Sequence, residues 1–199
     1  MKRLALLLVP VASWLALSVD LRPTAAEPIL APETFEVDGV HSAMVFRIRY
    51  ADISSFFGRF NQISGTFAVD ESDLTSAKFD LRVKAASVDS GNEKRDAHLT
   101  SPDFFSAKEF PEMSFVSKST KVLEGRQLAV TGDLTLRGVT KSVTATVTYG
   151  GQAKGGRGGL RAGFDGKLTI NREDFGITFG KGQLGEEVTI EMGLTGVKS

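Results

Sequence analysis

The feature that most constrains this chain is an apolar and polar alternation of period two, running with few breaks from about Met44 to Leu194. Met44, Phe46, Ile48 and Tyr50 fall on one face of an extended strand, opposite Val45, Arg47 and Arg49. Ile63, Phe67 and Val69 alternate with Ser64, Thr66 and Ala68, and Phe79, Leu81 and Val83 with Lys78, Asp80, Arg82 and Lys84. The same rhythm returns in Met113 and Phe115, in Leu128 to Leu136, in Val143 to Tyr149, in Ala162 to Ile170 and in Val188 to Leu194. A helix, whose faces repeat every 3.6 residues, would scatter these side chains, whereas a strand gathers them. Proline, which breaks sheet ladders, occurs only at Pro10, Pro23, Pro28 and Pro32 near the start and at Pro102 and Pro111 around one segment.

The pattern predicts an all-β fold of about eight strands, several of them ten residues or longer. Turn residues separate the strands at "DES", "LEG", "LRGVTK" and the glycine-rich "GGQAKGGRGG", Gly150 to Gly159, which reads as a flexible hairpin loop. Only "SGNEKRDAHLTSPDFF" departs from the rhythm, and it predicts a short helix from about Asn92 to Leu99. Connections this short imply antiparallel neighbours, and eight such strands close into an up-and-down barrel without exposed edges. Alternation alone leaves open which face is inside. An outer-membrane barrel wants aromatic girdles, yet beyond the N-terminal segment there is no Trp, and the Tyr residues are Tyr50 and Tyr149 alone. The opposite faces also carry full charges such as Arg47, Arg49 and Lys78. The expectation is an apolar interior.

Residues 1–26 open with Lys2 and Arg3, continue in an apolar run from Leu4 to Val19 and end in "RPTAA". They read as a Sec-type secretory signal peptide, leaving residues 27–199 as one exported domain, periplasmic or secreted. With 24 Lys and Arg against 24 Asp and Glu, nothing favours a nucleic-acid partner. Cys is absent and His numbers 2, which excludes disulfides, thiolate chemistry and imidazole-rich metal sites. No metal and no cofactor is expected.

Six segments carry a further signal. "VDGVHSAMVFRIRY" (37–50), "GRFNQISGTF" (58–67), "SVDSGNEKRDAHLTSPDFF" (87–105), "FPEMSF" (110–115), "VTGDLTLRGVTKSV" (130–143) and "RAGFDGKLTINREDFGI" (161–177) stand in the order of the YceI-like, polyisoprenoid-binding family, which the chain resembles over nearly all of residues 27–199. The resemblance implies a lipocalin-like barrel, periplasmic or secreted, often a homodimer, holding a long isoprenoid chain in its bore, and no enzymatic activity. Where many members of that family have a second His at the end of the first strand, this chain has Tyr50.

The inward aromatic set is the main functional expectation: Phe46, Ile48, Phe67, Phe79, Phe115, Val147 and Phe164 are predicted to line the bore. Burial of a prenyl chain contributes about 25 cal/mol per Å2 of apolar area, so the tail supplies the affinity and selectivity for the head group is expected to be weak. His41 is expected to be hydrogen-bonded at the barrel rim, and Arg95, Asp96 and His98 to form a polar cluster closing one barrel end. A hydrolase built on Asp96 and His98 is a rival reading, but residues two apart on a helix do not face each other. Lys154 and Arg157 lie in the glycine-rich segment without a phosphate-loop pattern. Asp89, Arg172 and Asp174 are expected to make turn and strand-end hydrogen bonds. The remaining rivals are an outer-membrane barrel and a stress-related structural barrel with a filled core.

Overall fold

The computed structural model describes residues 31–156 and 158–199, so the expected signal peptide lies outside the described residues, as does Arg157. Strands form where the alternation predicts them, and also at three short stretches it does not mark, β1 (Glu33–Val37), β3 (Ser54–Phe60) and β6 (Val88–Asp89); with β2 (Ala43–Tyr50), β4 (Ile63–Asp70) and β5 (Asp73–Lys84) these precede the helix α1 (Glu93–Leu99). After it come β7 (Glu112–Glu124), β8 (Gln127–Leu136), β9 (Val139–Lys154), β10 (Leu160–Asn171) and β11 (Leu184–Lys198). The helix begins as expected, with the Asn92 side chain accepting from the Arg95 amide at 3.1 Å.

The ladder is a single antiparallel ring. Its order is β1, β4, β5, β7, β8, β9, β10 and β11, closed by pairing of β11 with β1, which makes eight strands around the barrel. The eleven stretches reduce to eight because three long strands are each interrupted once. β1 and β2 pair with successive parts of β11, Val37 opposite Gly196 and Ala43 opposite Gly193. Likewise β3 and β4 run in line, as do β5 and β6, since β4 pairs with β5 and β3 with β6.

The three interruptions lie side by side and crease the wall. The Asn61 amide donates to the Ser87 carbonyl at 3.0 Å and Gln62 to the Ser87 hydroxyl at 3.1 Å, while the Ser42 hydroxyl accepts from the Thr195 amide at 3.0 Å. Side-chain oxygens thus replace ladder partners where the chain leaves the sheet, which keeps buried backbone donors satisfied. Nothing in the alternation foretells the crease.

The apolar face points inward and Arg47, Arg49, Lys78 and Lys84 point out, the reverse of a transmembrane barrel. The glycine-rich segment differs from its expectation as a loop. β9 and β10 stay paired as far as Lys154 opposite Leu160, with a register shift beside Gly163, so Gly150 to Lys154 are strand, and beyond them the Gly155 amide donates to the Gly159 carbonyl at 3.0 Å. Glycine weakens a strand but does not forbid pairing when both neighbours are present, and here it supplies a bulge.

Candidate functional site

Four connections gather at one end of the barrel: the β2–β3 turn, residues 90–111 with α1, the β8–β9 turn and residues 172–183. The other end carries the β4–β5, β7–β8 and β9–β10 turns. We call these the mouth and the closed end.

The closed end is solid. Phe35, Val69 and Leu128 are 0% exposed, and Phe67 and Tyr149 are 1% exposed. Phe35 stacks on Phe67 at 5.4 Å, and Phe67 meets Phe164 edge to face at 5.2 Å. The Tyr149 hydroxyl donates to Glu71 at 2.9 Å under the Arg126 guanidinium, 4.8 Å above the ring. Burial, with the Glu71 carboxylate adding to it, raises the Tyr149 pKa above its ordinary value.

Toward the mouth the same inward positions surround a cavity of about 400 Å3. Phe79 and Phe164, 5.0 Å apart edge to face, form part of its floor together with Val130. Phe46, Ile48, Phe115, Val147, Val188 and Ile190 stand in its wall. Ile48, Phe115, Val188 and Ile190 are only half-buried, because their inner surfaces face empty space. A volume of this size lies within the range of small-ligand sites.

Of the seven residues expected to line the bore, six do: Phe46, Ile48, Phe79, Phe115, Val147 and Phe164. Phe67 is the correction. It points inward, but Phe35, Phe79 and Phe164 enclose its ring below the floor, and it does not touch the cavity.

The rim comes from segments without periodicity. Phe56 of β3, Phe104 and Phe105 after α1, and Phe179 border the opening, and sequence reasoning missed all of them. Pairs of adjacent aromatics, "FF" at Phe56–Phe57 and at Phe104–Phe105, were the available signal. Arg137 fixes one flank by donating to the Pro102 and Phe104 carbonyls, both at 2.8 Å. Arg172, 3% exposed, fixes the other by donating to the carbonyls of Ile177, Phe179 and Gly185 at 2.8 Å and of Leu184 at 3.3 Å. Burial lowers its pKa, but a guanidinium starts so high that it stays charged. Asp89 accepts from the Gly91 amide at 2.9 Å and from Asn61 at 3.3 Å, the strand-end role expected of it, whereas Asp174 is exposed and makes no side-chain hydrogen bond among the described residues.

Of the expected polar cluster, Arg95 and Asp96 are joined through the Ser90 hydroxyl, whereas His98 pairs elsewhere. Arg95 and His98 reach the mouth. Arg95 donates from Nε and Nη2 to the Ser90 hydroxyl and carbonyl, both at 2.8 Å, with its guanidinium 4.4 Å from the Phe56 ring centre. Asp96 does not line the cavity, and it accepts from the Ser90 amide at 2.8 Å. His98 lies 2.8 Å from Asp103 through Nε2 and packs edge to face on Phe104 and Phe179 at 5.0 and 4.8 Å. Asp96 and His98 therefore form no dyad.

His41 belongs to neither end. It sits on the flank between β1 and β2, its Nδ1 2.8 Å from an Asp38 carboxylate that also accepts from Arg161 at 2.6 Å. The Arg161 guanidinium, with help from His41, holds the Asp38 carboxyl well below the usual carboxylate range. This trio pins the crease.

A family model described as the YceI-like domain matches residues 35–195. The chain is 36% identical over 175 residues to protein YceI of Salmonella newport, covering 88% of this chain and 91% of that one. Among solved structures, Burkholderia cenocepacia BcnA superposes with a TM-score of 0.71 at 27% identity, covering 80% of this chain and 98% of BcnA. A polyisoprenoid binding domain from Saccharophagus degradans shares the fold at a TM-score of 0.63 and 14% identity, over 83% of this chain and 98% of that domain.

Proposed function

Because the chain belongs to the YceI-like family, we propose that it is an exported, periplasmic binding protein that holds a long-chain polyisoprenoid for carriage or sequestration. The cargo is a quinone tail or another polyprenyl lipid, and the protein shields it without reacting with it. The observation that carries this reading is the cavity in the mouth half, a space of about 400 Å3 walled by apolar side chains that stay half-buried although they point inward. In water such a surface is costly, and each 100 Å2 of it covered by a prenyl tail contributes about 2.5 kcal/mol before the tail's ordering is counted. The description of the Saccharophagus domain as polyisoprenoid-binding agrees with this at the level of fold. Export rests on the signal-like residues 1–26, and pairing into a homodimer rests on the family resemblance.

The test is organic extraction of the protein purified from its own cell envelope, followed by mass spectrometry. A prenyl lipid in near-stoichiometric amount is expected. A clean extract from intact, folded protein would contradict the proposal.

A further inference from the structure

The hairpin that joins β2 to β3 carries apolar side chains that face water. Ile53 at its tip is 81% exposed and Phe57 60%, and neither touches the cavity. Phe57 stands opposite Arg47 on the outer face of the hairpin, while its neighbour Phe56 borders the opening from within. Tyr50 and Phe179 are exposed on the lip itself. Every exposed aromatic side chain among the described residues thus lies at the mouth end, on a surface that passes from the outer wall over the lip into the cavity. An apolar patch rimmed by polar groups marks a surface made to be covered.

The tip is also held in place. Ala51 and Asp52 have φ of 48° and 55°, a left-handed conformation that a Cβ disfavours, so the turn needs support from its surroundings. The Ala51 amide donates to the Gln183 carbonyl at 2.6 Å, the Ile53 amide donates to the Tyr50 carbonyl at 3.1 Å, and the Arg49 guanidinium donates to the Asp52 carbonyl. These bonds tie the hairpin to the segment that carries Phe179. Charge on this flank is mixed: among the described residues Arg47, Arg49 and Arg59 hydrogen-bond to uncharged groups, and Asp52, Glu187 and Asp89 lie beside them. A surface of both signs fits a zwitterionic head-group layer, where apolar contact and not net charge carries the binding.

Resting on the reading that the cavity holds a prenyl chain, we infer that Ile53, Phe57, Tyr50 and Phe179 seat the mouth on the surface of a lipid bilayer, from which the cargo enters without crossing water. A long apolar tail is costly to expose, so transfer is easiest where the opening and the bilayer share one apolar boundary. Aliphatic side chains at such a contact enter the boundary between head groups and acyl chains, and aromatic rings suit the same depth.

The experiment is co-sedimentation with phosphatidylcholine vesicles, with and without phosphatidylglycerol. It compares the protein with the double variant Ile53→Ser/Phe57→Ser and with Val122→Ser/Leu123→Ser, whose residues are exposed on β7 near the closed end. The mouth variant is expected to bind vesicles about tenfold more weakly, the closed-end variant as well as the unaltered protein, and phosphatidylglycerol should change little. In vesicle-free buffer all three should bind a fluorescent prenyl probe equally, since none of the altered residues lines the cavity. Beyond residues 1–26 the sequence has no Trp, so a new indole reports its own surroundings. Ile53→Trp emission should shift to the blue on vesicles, and Val122→Trp emission should not. Absence of vesicle binding, or binding that survives in the mouth variant, overturns the bilayer contact and leaves prenyl binding standing. A dimer in solution that the mouth variant breaks into monomers also overturns it, because the surface then belongs to a second copy of the chain. Failure of the probe to bind in vesicle-free buffer overturns the prenyl reading itself.

Discussion

The closed half of the barrel and its mouth half are built from the same strands with the same alternation, yet one is filled and the other is hollow. In the closed half large rings meet small partners. Phe35 and Phe67 lie over Gly196, where a Cβ would come within 2.7 Å of either side chain, and Phe67, Phe164 and Tyr149 interlock beside them. In the mouth half the inward side chains are mostly aliphatic, with Gly166 among them, and they do not reach across. The rim is then closed by residues from loops, not by the facing strand. Side-chain size across the bore, not the direction of the side chains, decides whether a small barrel holds a core or a cargo.

If that distinction is right, equivalent truncations should differ. Phe67→Ala is expected to cost about 3–5 kcal/mol in urea unfolding, because it opens a void in a closed packing. Phe115→Ala, whose side chain already faces empty space, should cost closer to 1 kcal/mol. Equal costs would break the comparison. Enlargements sharpen it further. Ala162→Leu in the closed half overpacks and should cost about 1–3 kcal/mol, whereas Ala145→Leu enters the cavity and should cost less than about 1 kcal/mol while weakening prenyl-probe binding.

The closed half should also show its own pH dependence. The Tyr149 hydroxyl is held protonated above its ordinary pKa of 10.0, so its stabilising effect is complete below about pH 10. It is lost as pH rises further, when the unfolded chain releases this proton first. Urea midpoints followed from pH 9 upward should fall less steeply in Tyr149→Phe than in the unaltered protein. The smallest effect concerns the rim. No residue of α1 is buried, so its amides should exchange with deuterium faster than those of β8 around Leu128 and Val130, and bound prenyl lipid should slow them.

Much of this is legible in the amino-acid sequence. Alternation places the eight long stretches and their inward faces, though not the short strands β1, β3 and β6, and the break in the rhythm marks the helix. The crease was not legible, because Asp38, Ser42 and Ser87 read as ordinary turn residues until their side chains are seen replacing ladder bonds. Phe67 looked equivalent to Phe115, since parity fixes a face but not a depth along the barrel. The burial of Arg172 was hidden too, as its partners are carbonyls spread from Ile177 to Gly185 and no carboxylate signals the pairing. Phe104 and Phe179, which border the opening, sit in segments where no period exists to be read.

The measurement that bears most directly on a hollow, lipid-holding mouth half is a crystal structure of the protein purified from its own envelope. We expect continuous elongated density between Ile48, Phe115 and Val188, reaching down to Phe79 and Phe164 and stopping above Phe67. A mouth half in which these side chains have closed onto one another, with no room for a chain, would contradict it.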